Sequence, residues 1–350
     1  MKRNNRFKLF IVLTSLTFLS GCWNVKEINM RTVPLLIGIS KGNDDEYKVT
    51  EYVPARVGGK TISRIITEKG NTYSNILRQL RTDSDNALDY SQVQLILIQN
   101  NLAKNKEEMG KIVRLLKELE QLPSKALVVI TDEDIEKMLS NIEKKVGVRA
   151  TSINDFFYKG TGWAPEVSST GIWDLYRSLY IYTKDINVPI VISGKDTVLR
   201  FEGSAIFKKG KMMERINSKE NLLVNLFHNR NAIGEVESLG SAGIRIHKSS
   251  LHIKRSMKKN ELMVSCNLKL KIQVIERKEE VTNKQIQEEL EELFEKRFYD
   301  MFDRAQKNKT DIFGFGQYFR NRIPYRELKN WRDEYYPKLK VNFRVHVSLV

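Results

Sequence analysis

From Leu262 to Val274 every second residue is apolar: Leu262, Val264, Cys266, Leu268, Leu270, Ile272 and Val274, with mostly polar residues between them. That period sends alternate side chains to opposite faces, so it predicts a half-buried strand with Cys266 in the core as a small hydrophobe. The closing segment repeats the pattern, with Leu339, Val341, Phe343, Val345, Val347 and Leu349 inward and Lys340, Asn342, Arg344, His346 and Ser348 outward. Between the two, Thr282 and Gln285 have the spacing of a capping box. Ile286, Leu290, Leu293, Phe294, Phe298, Met301, Phe302 and Ala305 follow as one helical stripe. A long amphipathic helix laid on an antiparallel sheet is the expected C-terminal architecture.

The first half alternates strands and helices. Thr32–Ile39 and Tyr47–Val53 flank the turn-rich Lys41-Gly42-Asn43-Asp44-Asp45, which predicts a hairpin. Leu95-Ile96-Leu97-Ile98 and Leu127-Val128-Val129-Ile130 are short continuous apolar runs, the signature of fully buried strands. Met109, Ile112, Val113, Leu116 and Leu119 fall on one face of a helix over Lys106–Glu120, ahead of Pro123. Helices are also expected at Thr72–Leu80, after the Thr131 and Asp134 capping pattern, and near Thr170–Tyr180, before the extended Val188–Val191. Gly194-Lys195-Asp196 is the best internal boundary. The expected fold class is therefore α+β and multi-domain: residues 22–195 as a mixed α/β domain, whole or in two subdomains, and 196–350 as the α+β domain described above.

Before residue 22 the pattern changes. Lys2, Arg3, Arg6 and Lys8 precede the apolar stretch Leu9–Leu19, which is shorter than the ~20 residues a membrane-spanning helix needs. Leu19-Ser20-Gly21-Cys22 then closes the stretch, and the whole reads as a lipoprotein signal over residues 1–21. In the lipobox that this resembles, Cys22 receives a diacylglycerol and becomes the first residue of an exported, membrane-tethered chain. Cys266 would then be alone, with no intrachain disulfide to form. Stability must come from packed cores.

The full chain carries 59 Lys+Arg against 43 Asp+Glu, a formal +16; loss of the four basic residues before Cys22 leaves +12. Such a balance suits an anionic lipid or cell-wall surface. Nucleic acid is the usual partner of a basic chain, but an exported one rarely meets it, and no nucleic-acid partner is expected. Along the sequence the basic residues are scattered among acids, as on a solvated surface.

Gly21-Cys22-Trp23-Asn24-Val25-Lys26-Glu27-Ile28 resembles the opening of the C-subunit lipoproteins of bacterial spore germinant receptors, the GerAC-like family. So do Gly203-Ser204-Ala205-Ile206-Phe207-Lys208-Lys209 and Thr310-Asp311-Ile312-Phe313-Gly314-Phe315-Gly316, the latter followed by Tyr318, Arg320, Pro324 and Trp331. The resemblance implies a non-catalytic subunit on the outer face of the spore inner membrane, lipid-anchored through Cys22. It also implies two integral membrane partners, one channel-like and one transporter-like, and a role in the response to a nutrient; whether a nutrient touches this chain stays open. The alternative is a solute-binding lipoprotein of a membrane transporter, which shares the anchor and the size.

No catalytic, metal or cofactor-binding constellation is expected. Gly59-Lys60-Thr61 echoes the end of a phosphate loop, but Pro54 stands where the first glycine belongs. His247 and His252 would face opposite sides of one strand, without further ligands near them. No Gly-x-Ser-x-Gly elbow is present. Asp83 and Asp85 sit in a turn-like Thr-Asp-Ser-Asp-Asn run. Gly314, Phe315, Gly316 and Tyr318 form the candidate partner contact: an exposed aromatic between flexible glycines would suit docking. In the competing reading the glycines supply turn geometry while Phe315 caps the core.

Overall fold

The computed structural model describes residues 31–350 apart from 43, 58–59, 120, 147–155, 158–163 and 259–260. Cys22, Trp23 and Gly59 lie outside the described residues.

The strands, in chain order, are β1 Arg31–Thr32, β2 Leu36–Lys41, β3 Tyr47–Val57, β4 Lys60–Gly70, β5 Ala87–Leu88, β6 Leu95–Gln99 and β7 Leu127–Thr131. They continue as β8 Ile186–Ser193, β9 Leu199–Lys208, β10 Lys211–Ile216, β11 Val236–Ser238, β12 Ala242–Lys258, β13 Glu261–Arg277 and β14 Lys340–Leu349. The main helices are α1 Tyr73–Asp83, α2 Lys106–Glu118, α3 Ile135–Val146, α4 Ile172–Ser178, α5 Ser218–Phe227 and α6 Asn283–Asn308. The architecture is mixed α+β, as the pattern of alternation implies.

An eight-stranded sheet runs in the order β10-β9-β8-β7-β6-β2-β3-β4. Its centre, β2, β6, β7 and β8, is parallel, and antiparallel hairpins extend it at both ends. The apolar runs read as buried strands because both faces are covered. Ile96, Ile98, Val128 and Ile130 pack with Ile76, Met109, Ile112 and Leu175 of α1, α2 and α4. Leu95, Leu97, Leu127 and Val129 pack with Ile135, Met138, Leu139 and Ile142 of α3. The helices begin where side chains can cap them: Thr72 accepts from the Asn75 N–H, and Asn105 from Glu107. At α3 the cap is Asp134, which accepts from Lys137, while Thr131 holds the preceding turn.

The second sheet has the order β11-β12-β13-β14. Its first three strands are antiparallel, but β14 runs parallel to β13, so the sheet is mixed where an antiparallel one is expected. The reason is connectivity: the chain leaves β13 through α6 and returns, a crossover that delivers a parallel strand. The alternation holds in both strands, with Cys266 buried and its thiol pushed up to about 12 by desolvation. α6 carries the expected capping box between Thr282 and Gln285 and turns Ile286, Leu290, Phe294, Phe298 and Met301 into the core. It also protects the outer edge of β14. Tyr299 Oη, Glu295 and Glu291 accept the N–H groups of Phe343, Val345 and Val347, which would otherwise template another strand.

The two sheets share one seam. Gly194–Asp196, the expected domain boundary, is the connection between paired neighbours β8 and β9, so the first sheet continues past it to Ile216. Within β9, Ala205 and Phe207 face the N-terminal core, whereas Ile206 faces the C-terminal one. Gly203 in the same strand has φ +108, and a Cβ there would lie 2.1 Å from the Ile216 carbonyl oxygen. Only glycine fits that approach.

Candidate functional site

The segment 310–316 folds inward at the seam, and its glycines have separate causes. Gly314 has φ +71, a left-handed conformation that a side chain resists. Gly316 is required by proximity, since a Cβ would sit 2.7 Å from the Trp331 indole and 2.8 Å from Thr183 Cβ. Phe315 between them is fully buried, edge-on to Phe227 at 5.5 Å and to Phe302 at 5.9 Å. The exposed-aromatic reading of Gly314, Phe315, Gly316 and Tyr318 therefore fails for Phe315, and Gly316 is buried as well. Tyr318 is half-buried against the C-terminal core, and Arg255 donates to its backbone oxygen. The apolar payload of Phe315 outweighs any gain from presenting it to solvent.

Beneath the loop lies a polar cluster. Asp311, fully buried, accepts from Phe315 N at 2.8 Å, Gly316 N at 2.7 Å and Trp331 Nε1 at 2.9 Å. Its own N–H donates to Asp185 Oδ2 at 2.7 Å, and Asp185 N donates back to the Asp311 carbonyl at 3.0 Å. Arg332 clamps the other side of Asp185, at 2.5 Å and 3.2 Å, and donates to the carbonyls of Ile181 and Lys184 at 3.1 Å each. Gln317 reaches Thr183 Oγ1 at 2.6 Å. Segments 311–317 and 331–332 are thereby tied to 181–185 across 126 to 151 residues of chain, and to each other across 20.

The electrostatics follow from burial. Desolvation pushes the Asp311 carboxyl up to about 7, although its N–H donors favour the charged form. Asp185 is also raised by burial, against the pull of the Arg332 guanidinium. His228, at the end of α5, is driven down to about 3 by burial and by nearby Lys184; its Nε2 lies 3.0 Å from the Ile312 carbonyl. A neutral ring that donates from Nε2 fits this contact. Further seams join the same halves: Asn187 donates to Asn221 at 2.8 Å, and Asn225 to the Pro165 carbonyl at 2.8 Å.

Chemically this arrangement binds the protein to itself. Both carboxylates are engaged by internal N–H donors, so neither is presented to a substrate. The other sequence candidates stay apart. Asp83 ends α1, Asp85 is exposed 3.7 Å from Arg64, and His247 contacts Gln273 at a bulge in β12. Among the described residues no group of three or more His, Cys, Asp or Glu could hold a metal ion. Asp311 and Trp331 stand out in sequence only as parts of a resemblance. Asp185 and Arg332 give no local signal, because their partnership depends on segments 147 residues apart.

Comparison with known proteins points the same way in both halves. The family model for the spore germination protein N-terminal domain matches residues 24–193, and that for the spore germination B3/GerAC-like C-terminal domain matches 202–350. The chain is 21% identical to spore germination protein GerQC of Bacillus cereus over 94% of each chain. It is 21% identical to spore germination protein KC of Bacillus subtilis (strain 168), over 97% of this chain and 94% of that one. The crystal structure of the GerBC protein shares the fold with a TM-score of 0.55 at 15% identity, covering 90% of this chain and 96% of the other. With the two family models together matching nearly the whole chain, this protein belongs to the GerAC-like family of spore germination proteins.

Proposed function

We propose that this chain is the lipid-anchored, non-catalytic subunit of a nutrient germinant receptor, acting with two integral membrane partners on the outer face of the spore inner membrane. The observation that carries the reading is the match of germination family models along nearly the whole chain, one in each half. The internal saturation of Asp185 and Asp311 supports a non-catalytic role. Among the described residues no helix is long and apolar enough to cross a membrane. The reading assigns attachment to a diacylglycerol on Cys22, on the resemblance of Leu19-Ser20-Gly21-Cys22 to a lipobox. Tethering confines the domain to the membrane surface, where a modest interface suffices to hold partners. Nutrient recognition and ion release then belong to those partners.

Metabolic labelling with palmitate tests the anchor: the wild-type chain should carry label, and Cys22→Ala should lose it together with membrane retention and the germination response. Label persisting on Cys22→Ala contradicts the assignment. Calorimetry with amino acids, sugars and nucleosides should show no tight binding, whereas micromolar affinity for one of them makes this chain a sensor.

A further inference from the structure

We propose that the solvent face of the second sheet is a docking surface for anionic phospholipid headgroups, an inference that rests on the membrane-bound reading above. Register places the outward side chains. Lys254 stands opposite Ser265 and Asn342, His252 opposite Asn267 and Arg344, and Lys248 opposite Lys271. Arg245, Lys248, Lys254, Lys269, Lys271 and Arg344 are all exposed on this face. Its one strand carboxylate, Glu261, lies at the far end and is taken by Lys340 at 3.3 Å.

Some exposed cations elsewhere are matched, Arg215 with Asp132, Lys309 with Asp333, Arg304 with Glu214 and Glu220. Others, such as Lys106 and Lys117, are not matched among the described residues; what sets this face apart is that its unpaired cations are gathered on one sheet. Here Lys248, Lys254, Lys269 and Lys271 form no ion pair with a described residue. Arg344 approaches Glu295 only at 4.0 Å. Lys248 and Lys271 are direct cross-strand partners, and like charges so placed oppose folding. A face that sets lysine against lysine is built for an external anion. Scattered basic residues in sequence thus become a one-sign field in space.

The shape identifies the anion. β12 and β13 are 17 residues each, giving an extended face. Its middle, around Ser265, Asn267 and Lys269, presents no aromatic or large apolar anchor of the kind that centres a protein interface. The exposed Met263 and Ile275 stand toward the ends of β13. An extended, anchor-free field of lysines matches a plane of headgroups better than a shaped protein partner.

The test uses residues 23–350, which contain every described element and lack Cys22, so that lipidation and surface binding are read separately. Binding is measured to phosphatidylglycerol–phosphatidylcholine vesicles and to phosphatidylcholine alone, at low and high salt. Wild type should bind the anionic vesicles only, and lose them with salt. At roughly fivefold in affinity per basic group, Lys248→Gln, Lys254→Gln, Lys269→Gln and Lys271→Gln combined should weaken binding by about two orders of magnitude or more. The same net change made by Lys106→Gln, Lys117→Gln, Lys125→Gln and Lys195→Gln should leave it nearly intact. The Lys271→Gln chain should be no less heat-stable than wild type, because repulsion is relieved.

Equal losses in the two quadruple variants would reduce the effect to net charge and overturn the proposal. So would wild-type binding by the first variant, or equal binding to neutral vesicles. Loss of partner co-purification in the first variant with vesicle binding unchanged would assign the face to an acidic protein instead.

Discussion

The two sheets differ in what covers them. In the first, β6 sends Leu95 and Leu97 to one core and Ile96 and Ile98 to another, so both faces are committed to stability. In the second, β13 buries Leu262 to Ile272 on one side and leaves Met263 to Gln273 in water. A strand packed on both faces has no surface left for a partner, whereas a half-covered one keeps a whole face free. Where the sheets meet, β9 serves two cores and the Asp185–Asp311–Arg332 cluster replaces apolar contact with charge. Gly314-Phe315-Gly316 supports this junction and adds no exposed aromatic surface.

If the junction couples the sheets, its members should be among the most costly to remove. Arg332→Ala leaves the buried Asp185 unpaired and should destabilise the chain by about 3–5 kcal/mol in denaturant titration. Phe315→Ala should cost a similar ~3–5 kcal/mol by emptying the aromatic core. A loss under 1 kcal/mol for either would mean the cluster tolerates opening. Replacing Asp185 and Arg332 together by Leu and Met should recover part of the loss, because no uncompensated charge remains.

Gly316→Ala should cost less, about 1–3 kcal/mol, since the indole of Trp331 and Thr183 must shift to admit a methyl. Gly314→Ala, strained by φ rather than by contact, should fall lower still. Equal losses at the two glycines would contradict their separate causes.

A nick at Lys195-Asp196 distinguishes a continuous sheet from two independent domains. With β8 and β9 paired through eight positions, the two fragments should co-elute under native conditions and separate only in denaturant. Free elution of a compact 196–350 fragment would support two independently folding domains divided at that boundary.

The smallest expected effect is in pH dependence, where two buried groups act in opposite senses. His228 titrates at about 3 in the folded chain against 6.5 ordinarily, so its contribution is full above 6.5 and lost as pH falls toward 3. Asp311 titrates at about 7 against 3.8, so its contribution is full below 3.8 and lost as pH rises toward 7. Relative to wild type, His228→Gln should be flatter on the acid side. Asp311→Asn should lose more stability as pH falls from 6.5 to 4. Unchanged slopes in both would remove these groups from the titration.

Much of this was legible in the residues. Period-two alternation located β13 and β14, and the Thr282–Gln285 box located the start of α6, because one buried face leaves a strict imprint. Continuous runs located β6 and β7. The direction of β14 was not legible, since alternation is the same for parallel and antiparallel neighbours. Nor was the continuity past Gly194: a turn within a sheet and a linker between domains share the same small and polar residues. Asp185 and Arg332 were invisible for a similar reason, being ordinary charged residues until folding removes water from both.

Amide hydrogen exchange at Phe315 and Gly316 tests the junction most directly, because both N–H groups are held by the Asp311 carboxylate. The account predicts that they exchange as slowly as the strand amides of Ile190 and Ile206, and that all four accelerate together in Arg332→Ala. Rapid exchange at Phe315 and Gly316 in the wild-type chain, with the strands still protected, would show an open loop and contradict the coupling of the two halves.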